Sequence, residues 1–272
     1  MSVEMRDSTS KVKVVRINVR EGKHLEVEDL VAVEAPISLY INGIRWANLM
    51  ATPTMLKELT LGYALSEGLL RNLSELRSVR VEDNAVKLEA KINIDLNRRL
   101  QRVWNSDCVG ILSTLRNSMD KGSEILDRLK VPLVSSGYAV KGSELLKMAS
   151  ELNLRSDTFK ATGGVHSAAL FQRGHLVAFA EDVGRHNAID KVLGAGALSN
   201  VDFQNTVLIS SGRLGGEMVI KAARLGIPIV ASISAPLLSG IMVAEKAGIT
   251  LLGFVRGLRL NVYSHPGRIL LD

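Results

Sequence analysis

The chain has 272 residues, 46% of them hydrophobic and only 4% aromatic, enough to bury a sizeable core built from Val, Ile, Leu and Ala rather than from rings. It carries one cysteine, Cys108, which excludes an intramolecular disulfide and a cysteine-rich zinc site. A formal charge of +6 with pI near 9.5 calls for an anionic partner, while the dispersal of Lys and Arg argues against a nucleic-acid-binding arm.

The opening MSVEMRDSTSKVKVV is polar and charged, with no apolar stretch for a secretion machinery, so a cytoplasmic protein is expected. The alternating VKVVRINV (12–19) and PISLYING (36–43) predict strands, the second closed by an Asn42-Gly43 turn. Thr52-Pro53 predicts a helix start as N-cap and first residue, with Met55, Leu56, Leu59 and Tyr63 at helical spacing up to Gly68. VRVEDNAVKLEAKINI (79–94) predicts a hairpin turning at Asp83-Asn84. DLNRRLQRVW (95–104) reads as a short basic helix or strand end, and SDCVG places Cys108 on a loop. Residues 1–110 are therefore expected to form an α+β module ending in the cysteine loop.

Residues 111–160 carry two helical patterns, ILSTLRNSMDKGSEILDRL and SELLKMASELNL, around VPLVSSGY, and are expected to be a helical linker region. From residue 161 the pattern becomes strand, helix, strand, helix: SAALFQ and HLVAFAED joined at Arg173-Gly174, then NAIDKVLGAGAL, TVLISS, GEMVIKAARLG, PIVASIS, LSGIMVAEKAG and TLLGFV. That alternation predicts an α/β domain over 161–272 with a mostly parallel, helix-covered sheet. The uncharged run Ile227–Ala244 reaches the length of a membrane span, but Pro228, Pro236 and Gly240 break it into a buried strand, a turn and a helix start. No membrane association is expected.

In such sheets ligands gather at the carboxyl ends of the strands. The polar clusters fall there: EDVGRHN (181–187), SSGR (210–213), SAP (234–236) and FVRGLR (254–259), with TGGVH (162–166) preceding the first strand. Paired glycines allow close backbone approach, and Arg185, Arg213, Arg256 and Arg259 offer forked donors for phosphate oxygens. Any one cluster alone reads better as a turn with solvated arginines; four at equivalent strand ends reverse that and point to a phosphate or nucleotide site. His166, Asp182 and His186 have no recognised metal-ligand spacing, so no metal is expected and hydrogen-bonding roles are preferred. Walker and dinucleotide-binding glycine motifs are absent. Cys108 is open to two readings, an inert small side chain or an accessible nucleophile, and Asp107 beside it opposes thiolate formation.

The strings EAPISLYING, MATPTMLKELTLGYALSEGLL, TGGVHSAAL, EDVGRHNAIDKVLG, SGRLGGEMVIKAARLGIPIVASISAP and ITLLGFVRG together resemble the successive signatures of the FdhD family, with EDVGRHNAIDK the most specific. The resemblance covers residues 34–268. It implies a C-terminal domain similar to cytidine deaminases, a three-layer sheet without zinc, joined to a smaller N-terminal α+β module, and often a homodimer. It further implies a sulfurtransferase: sulfur is accepted from a cysteine desulfurase as a persulfide, with Cys108 as the catalytic thiol. The sulfur passes to the molybdenum cofactor, a bis-molybdopterin guanine dinucleotide, for formate dehydrogenase. The implied cofactor-binding residues are Phe254, Val255, Arg256, Gly257, Leu258 and Arg259, with Gly163, Gly164, His166, Arg185, His186 and Arg213; GDP would serve as an analogue. One departure stands out. Many members have C-x-x-C where this chain has Cys108-Val109-Gly110-Ile111, so a resolving cysteine is missing. That leaves open an alternative, a non-enzymatic chaperone that delivers the cofactor without transferring sulfur.

Overall fold

The computed structural model describes residues 8–92 and 131–272. The first described element is a two-stranded ribbon, β1 (Thr9–Asn18) and β2 (Lys23–Ala32), antiparallel in register along its length. The second strand was not anticipated, because Glu26, Glu28 and Asp29 hide its alternation.

A four-stranded sheet in the order β4-β3-β6-β5 follows, built from β3 (Ala35–Ile41), β4 (Ile44–Ala51), β5 (Leu76–Glu82) and β6 (Ala85–Ala90). Asn42 and Gly43 both take positive φ, 48° and 75°, the left-handed backbone conformation that lets a two-residue turn match the right-handed twist of its strands. Ile37, Leu39 and Ile41 alternate inward and pack with α1 (Leu56–Ser66). This helix does not begin as expected. Its N-cap is Met55 in a left-handed conformation, and Thr52 makes no cap. The Thr52 hydroxyl instead accepts from the Val183 N–H at 3.2 Å.

The larger sheet has six strands in the order β13-β12-β11-β10-β8-β9: β8 (His166–Gln172), β9 (His175–Asp182), β10 (Thr206–Ser210), β11 (Ile229–Ser232), β12 (Thr250–Arg256) and β13 (Arg259–Ser264). A mostly parallel sheet was expected; it is mixed. Only β10-β11 and β11-β12 pair in parallel, whereas β8, β9 and β13 join antiparallel. The reason is local: Arg173 and Gly174, both at positive φ, close a tight hairpin, and a tight hairpin reverses the chain. β7 (Val140–Lys141) and β14 (Ile269–Leu270) form a small separate pair.

Side chains alternate across the six strands, so both faces are apolar and both are covered. Ala168, Leu170, Leu208, Val230 and Leu251 pack with α4 (Arg185–Leu198), α5 (Gly216–Arg224) and α6 (Leu238–Ala247). Ala169, Phe171, Val207, Ile209, Ile229 and Leu252 pack with α2 (Gly142–Arg155) through Leu145, Met148, Ala149 and Leu152. A short α3 (Asp157–Thr162) leads into β8. The sheets meet where α1 crosses α4. A Cβ on Gly62 would overlap the Asp190 carbonyl, and one on Gly194 would overlap that of Glu58, so only glycine permits this approach. Among the described residues no helix is long and apolar enough to cross a membrane.

Candidate functional site

Although the sheet is mixed, its directions bring the polar clusters to one edge. The carboxyl ends of β9, β10, β11 and β12 and the amino ends of β8 and β13 all lie there, fixed by the pairings His166 with Asp182, Ser210 with Ala168 and with Ser232, and Arg256 with Arg259. Helices α4, α5 and α6 start from this edge; no N-cap side chain caps them, although the Gly216 N–H that opens α5 donates to Ser239 Oγ at 3.2 Å. Three helix starts with their positive dipole ends at one edge favour an anion.

The turn after β10 is held by hydroxyls. Ser232 Oγ donates to the carbonyls of Ser210 and Gly212 at 2.9 and 2.7 Å, and Ser210 Oγ accepts from the Gly212 N–H at 3.1 Å. Gly212 is needed because the Arg185 side chain lies over it, its Cβ only 2.9 Å from where a side chain at 212 would begin. Ser211 Oγ accepts from the Ser167 N–H at 2.9 Å and meets His166 Nδ1 at 3.3 Å. Arg185 and Arg213 flank that imidazole. Burial, with the two guanidiniums, pushes the His166 pKa below the ordinary histidine value against the pull of Asp182, so the ring is neutral at neutral pH. His186 Nε2 lies 2.9 Å from Glu217 Oε2, joining the starts of α4 and α5. That hydrogen bond holds the Glu217 carboxyl below its usual range, although burial opposes it.

Much of EDVGRHNAIDK is structural. Asp182 is fully buried and accepts from the Gly184 N–H, Asn187 Nδ2, the Thr52 N–H and Lys191 Nζ, the last at 2.7 Å. Lys191 also donates to the Thr52 carbonyl at 3.0 Å, and Asn187 to that of Met50 at 2.7 Å. Asp182 at the end of β9, with Asn187 and Lys191 of α4, thus clamps the end of β4 and the β4–α1 connection. A second buried knot sits one turn on. Lys221 of α5 reaches both Asp190 oxygens at 2.9 Å, Ser66 at 2.9 Å and Glu67 at 3.1 Å. Despite burial, Asp190 and Glu67 hold Lys221 above the usual lysine range. Sequence reasoning missed the roles of Thr52, Ser211 and Glu217 in this region; the charged pair Asp190-Lys191 set among the apolar residues Ala188, Ile189, Val192 and Leu193 was the available signal.

The expected binding residues divide. His166, Arg185, His186 and Arg213 are gathered at one point. Gly163 ends α3 at φ 67° and Gly164 lies against Ala32 of the ribbon, so this pair sits beside the edge. Phe254 takes positive φ within a bulge of β12, its N–H donates to the Ser234 carbonyl at 2.9 Å, and Arg256 stacks over its ring at 5.6 Å. Arg256, Gly257, Leu258 and Arg259 form an exposed hairpin tip. Val255 is different: it is fully buried among the α2-side residues, so it shapes the strand and presents nothing to a ligand. Cys108, residues 93–110 of the N-terminal module and 111–130 of the expected linker lie outside the described residues. Among the described residues no group of three or more His, Cys, Asp or Glu is placed to hold a metal ion.

Comparison with known proteins places this arrangement. The model of the FdhD/NarQ family matches residues 32–270. The sulfur carrier protein FdhD of Thermoplasma acidophilum is 37% identical over 276 residues, covering 96% of this chain and 94% of its own. That of Methanothermobacter thermautotrophicus is 36% identical over 250 residues, covering 92% and 95%. A crystal structure described as a formate dehydrogenase accessory protein from Desulfotalea psychrophila superposes with TM-score 0.79 at 29% identity, covering 97% of this chain and all of the other.

Proposed function

The chain belongs to the FdhD/NarQ family, and on that premise we propose that it is a sulfur carrier that serves formate dehydrogenase. Cys108, its one thiol, takes a sulfane sulfur from a cysteine desulfurase: the thiolate attacks the donor persulfide, a new S–S bond forms and the donor thiolate leaves. The acceptor is the molybdenum of a bis-molybdopterin guanine dinucleotide, a substrate that arrives with its pyrophosphates; the S–S bond breaks, Cys108 leaves as thiolate, and the reduced metal supplies the two electrons that turn the outer sulfur into a sulfido ligand.

The observation that supports this reading is the placement of Arg185, Arg213, the Arg256–Arg259 tip and three helix starts along one sheet edge. Arginine forks and helix N-termini suit pyrophosphate oxygens, and the Phe254 ring and exposed Gly257 backbone suit a flat base. His166, uncharged in the free protein at neutral pH, and Ser211 offer hydrogen bonds to the ligand. The histidines serve here as hydrogen-bonding groups.

Replacing Cys108 with Ser separates sulfur transfer from mere delivery of the cofactor. A serine oxygen holds no transferable sulfur and the chain has no second thiol, so Cys108→Ser abolishes formate dehydrogenase activation in cells lacking the native protein while GDP binding persists. Normal activation by the serine variant would instead establish a chaperone that delivers cofactor without sulfur.

A further inference from the structure

Two polar rungs join α4 to α5. His186 and Asp190 lie four residues apart on α4, and Glu217 and Lys221 four apart on α5, so each helix presents its two rung residues on one face. The lower rung is buried: Lys221 Nζ meets both Asp190 oxygens at 2.9 Å, and the two side chains are 5% and 2% exposed. The upper rung, His186 Nε2 with Glu217 Oε2 at 2.9 Å, lies one turn nearer the sheet edge, and its side chains are 30% and 32% exposed.

A part-exposed pair adds little to the hold of a buried one, so packing of α4 on α5 does not account for the upper rung. The helix dipole does not account for it either. A carboxylate in the first turn of α5 suits the positive end of that helix, yet it would do so without an imidazole, and it sets a negative charge at an edge whose other features favour anions.

The chemistry of the pair supplies a reason. Its hydrogen bond holds the Glu217 carboxyl below the usual range, so at neutral pH the carboxylate is ionised and can only accept. His186 Nε2 therefore carries the hydrogen in either charge state of the ring, and Nδ1 is left, with no hydrogen-bond partner among the described residues. A carboxylate bound to one nitrogen of an imidazole fixes the ring's orientation and decides which nitrogen the ring shows. Lysine at 186 could form the rung but would have no second atom to offer.

We propose that Glu217 is a positioning residue of the candidate site, holding His186 by Nε2 so that Nδ1 is the nitrogen offered to the bound nucleotide. This role rests on the nucleotide reading of the sheet edge and uses neither Cys108 nor sulfur transfer.

The test is GDP binding by the full-length protein, measured calorimetrically at mildly alkaline pH for the native chain, Glu217→Met, His186→Phe and the double variant. Glu217→Met removes a negative charge from an anion site, so a carboxylate acting through charge alone predicts tighter binding. Positioning predicts the reverse, a loss of about three- to tenfold, the worth of one hydrogen bond. In the double variant the loss is expected to be no larger than in His186→Phe, because Glu217 acts through the imidazole. Heteronuclear NMR of the native chain is expected to show a His186 Nε2 proton, assigned by its absence in His186→Phe, that exchanges slowly with water and disappears in Glu217→Met. Where circular dichroism shows that Glu217→Met has failed to fold, His186→Phe and the native signal decide. Unchanged or tighter binding by Glu217→Met, unchanged binding by His186→Phe, additive losses in the double variant, or a freely exchanging Nε2 proton in the native chain would overturn this role alone. A native chain without affinity for GDP would overturn the nucleotide reading and this role with it.

Discussion

Lys191→Met probes the clamp that holds the β4–α1 connection against the candidate site. Lys191 and Asp182 have no exposed side-chain surface and their charged atoms are 2.7 Å apart. Burial pushes the Lys191 pKa down and Asp182 pushes it back up, so the pair depends on its own charges. With methionine at 191 the carboxylate keeps the Thr52, Gly184 and Asn187 donors but loses its counter-charge. Breaking a buried pair on one side costs about 3–5 kcal/mol. At roughly 2 °C for each kcal/mol in a chain of this size, melting falls by about 6–10 °C. Removing both charges, Asp182→Asn/Lys191→Met, leaves no orphaned ion and is expected to recover most of that loss, to within about 2 kcal/mol of the native chain. Thermal and urea unfolding of the two single variants and the double variant give the coupling directly. A single variant that melts within about 2 °C of native, or a double variant as unstable as the sum of the singles, would refute the reasoning.

GDP at about 100 times its dissociation constant is expected to add roughly 2.7 kcal/mol of stability. Arg256→Ala/Arg259→Ala is expected to weaken that binding by about 1.5–3 kcal/mol for each charged hydrogen bond made, with melting of the free protein unchanged; equal affinity would move the nucleotide elsewhere. The His166 pKa is lowered in the folded state, so the unfolded chain binds the proton first. This residue's contribution to stability is intact above about pH 6.5 and declines as pH falls below that value. An anion bound beside it offsets Arg185 and Arg213, so binding of GDP near pH 6.5 is expected to take up protons, measured calorimetrically in two buffers of different ionisation enthalpy. Identical heats in both buffers, or the same proton uptake in His166→Gln, would contradict that placement.

The hairpins were legible because their turns carry their own chemistry: Asn42-Gly43 and Arg173-Gly174 adopt the positive φ that those sequences announce. The helices of the C-terminal half were legible from apolar spacing, and the strand-end clusters do share an edge. Strand direction was not legible. A short apolar strand reads the same in either direction, so the antiparallel pairing of β8 with β10 was not visible behind the strand–helix alternation, and β13, half exposed, went unread. The roles within EDVGRHNAIDK were also hidden. Asp182, Asn187 and Lys191 look like site residues in sequence, yet their partners Met50 and Thr52 lie more than a hundred positions away. For the same reason Thr52 was read as a helix cap, its local use, when its hydroxyl is taken by Val183.

Sulfur loading of Cys108 is the most direct test of the sulfur-carrier reading. The full-length protein is incubated with a cysteine desulfurase and cysteine, then measured by intact mass before and after a reductant. The account predicts a gain equal to one sulfur atom, removed by the reductant, absent in Cys108→Ser and discharged on adding the molybdenum cofactor. A native chain that gains no sulfur, or a serine variant that gains as much, would contradict it.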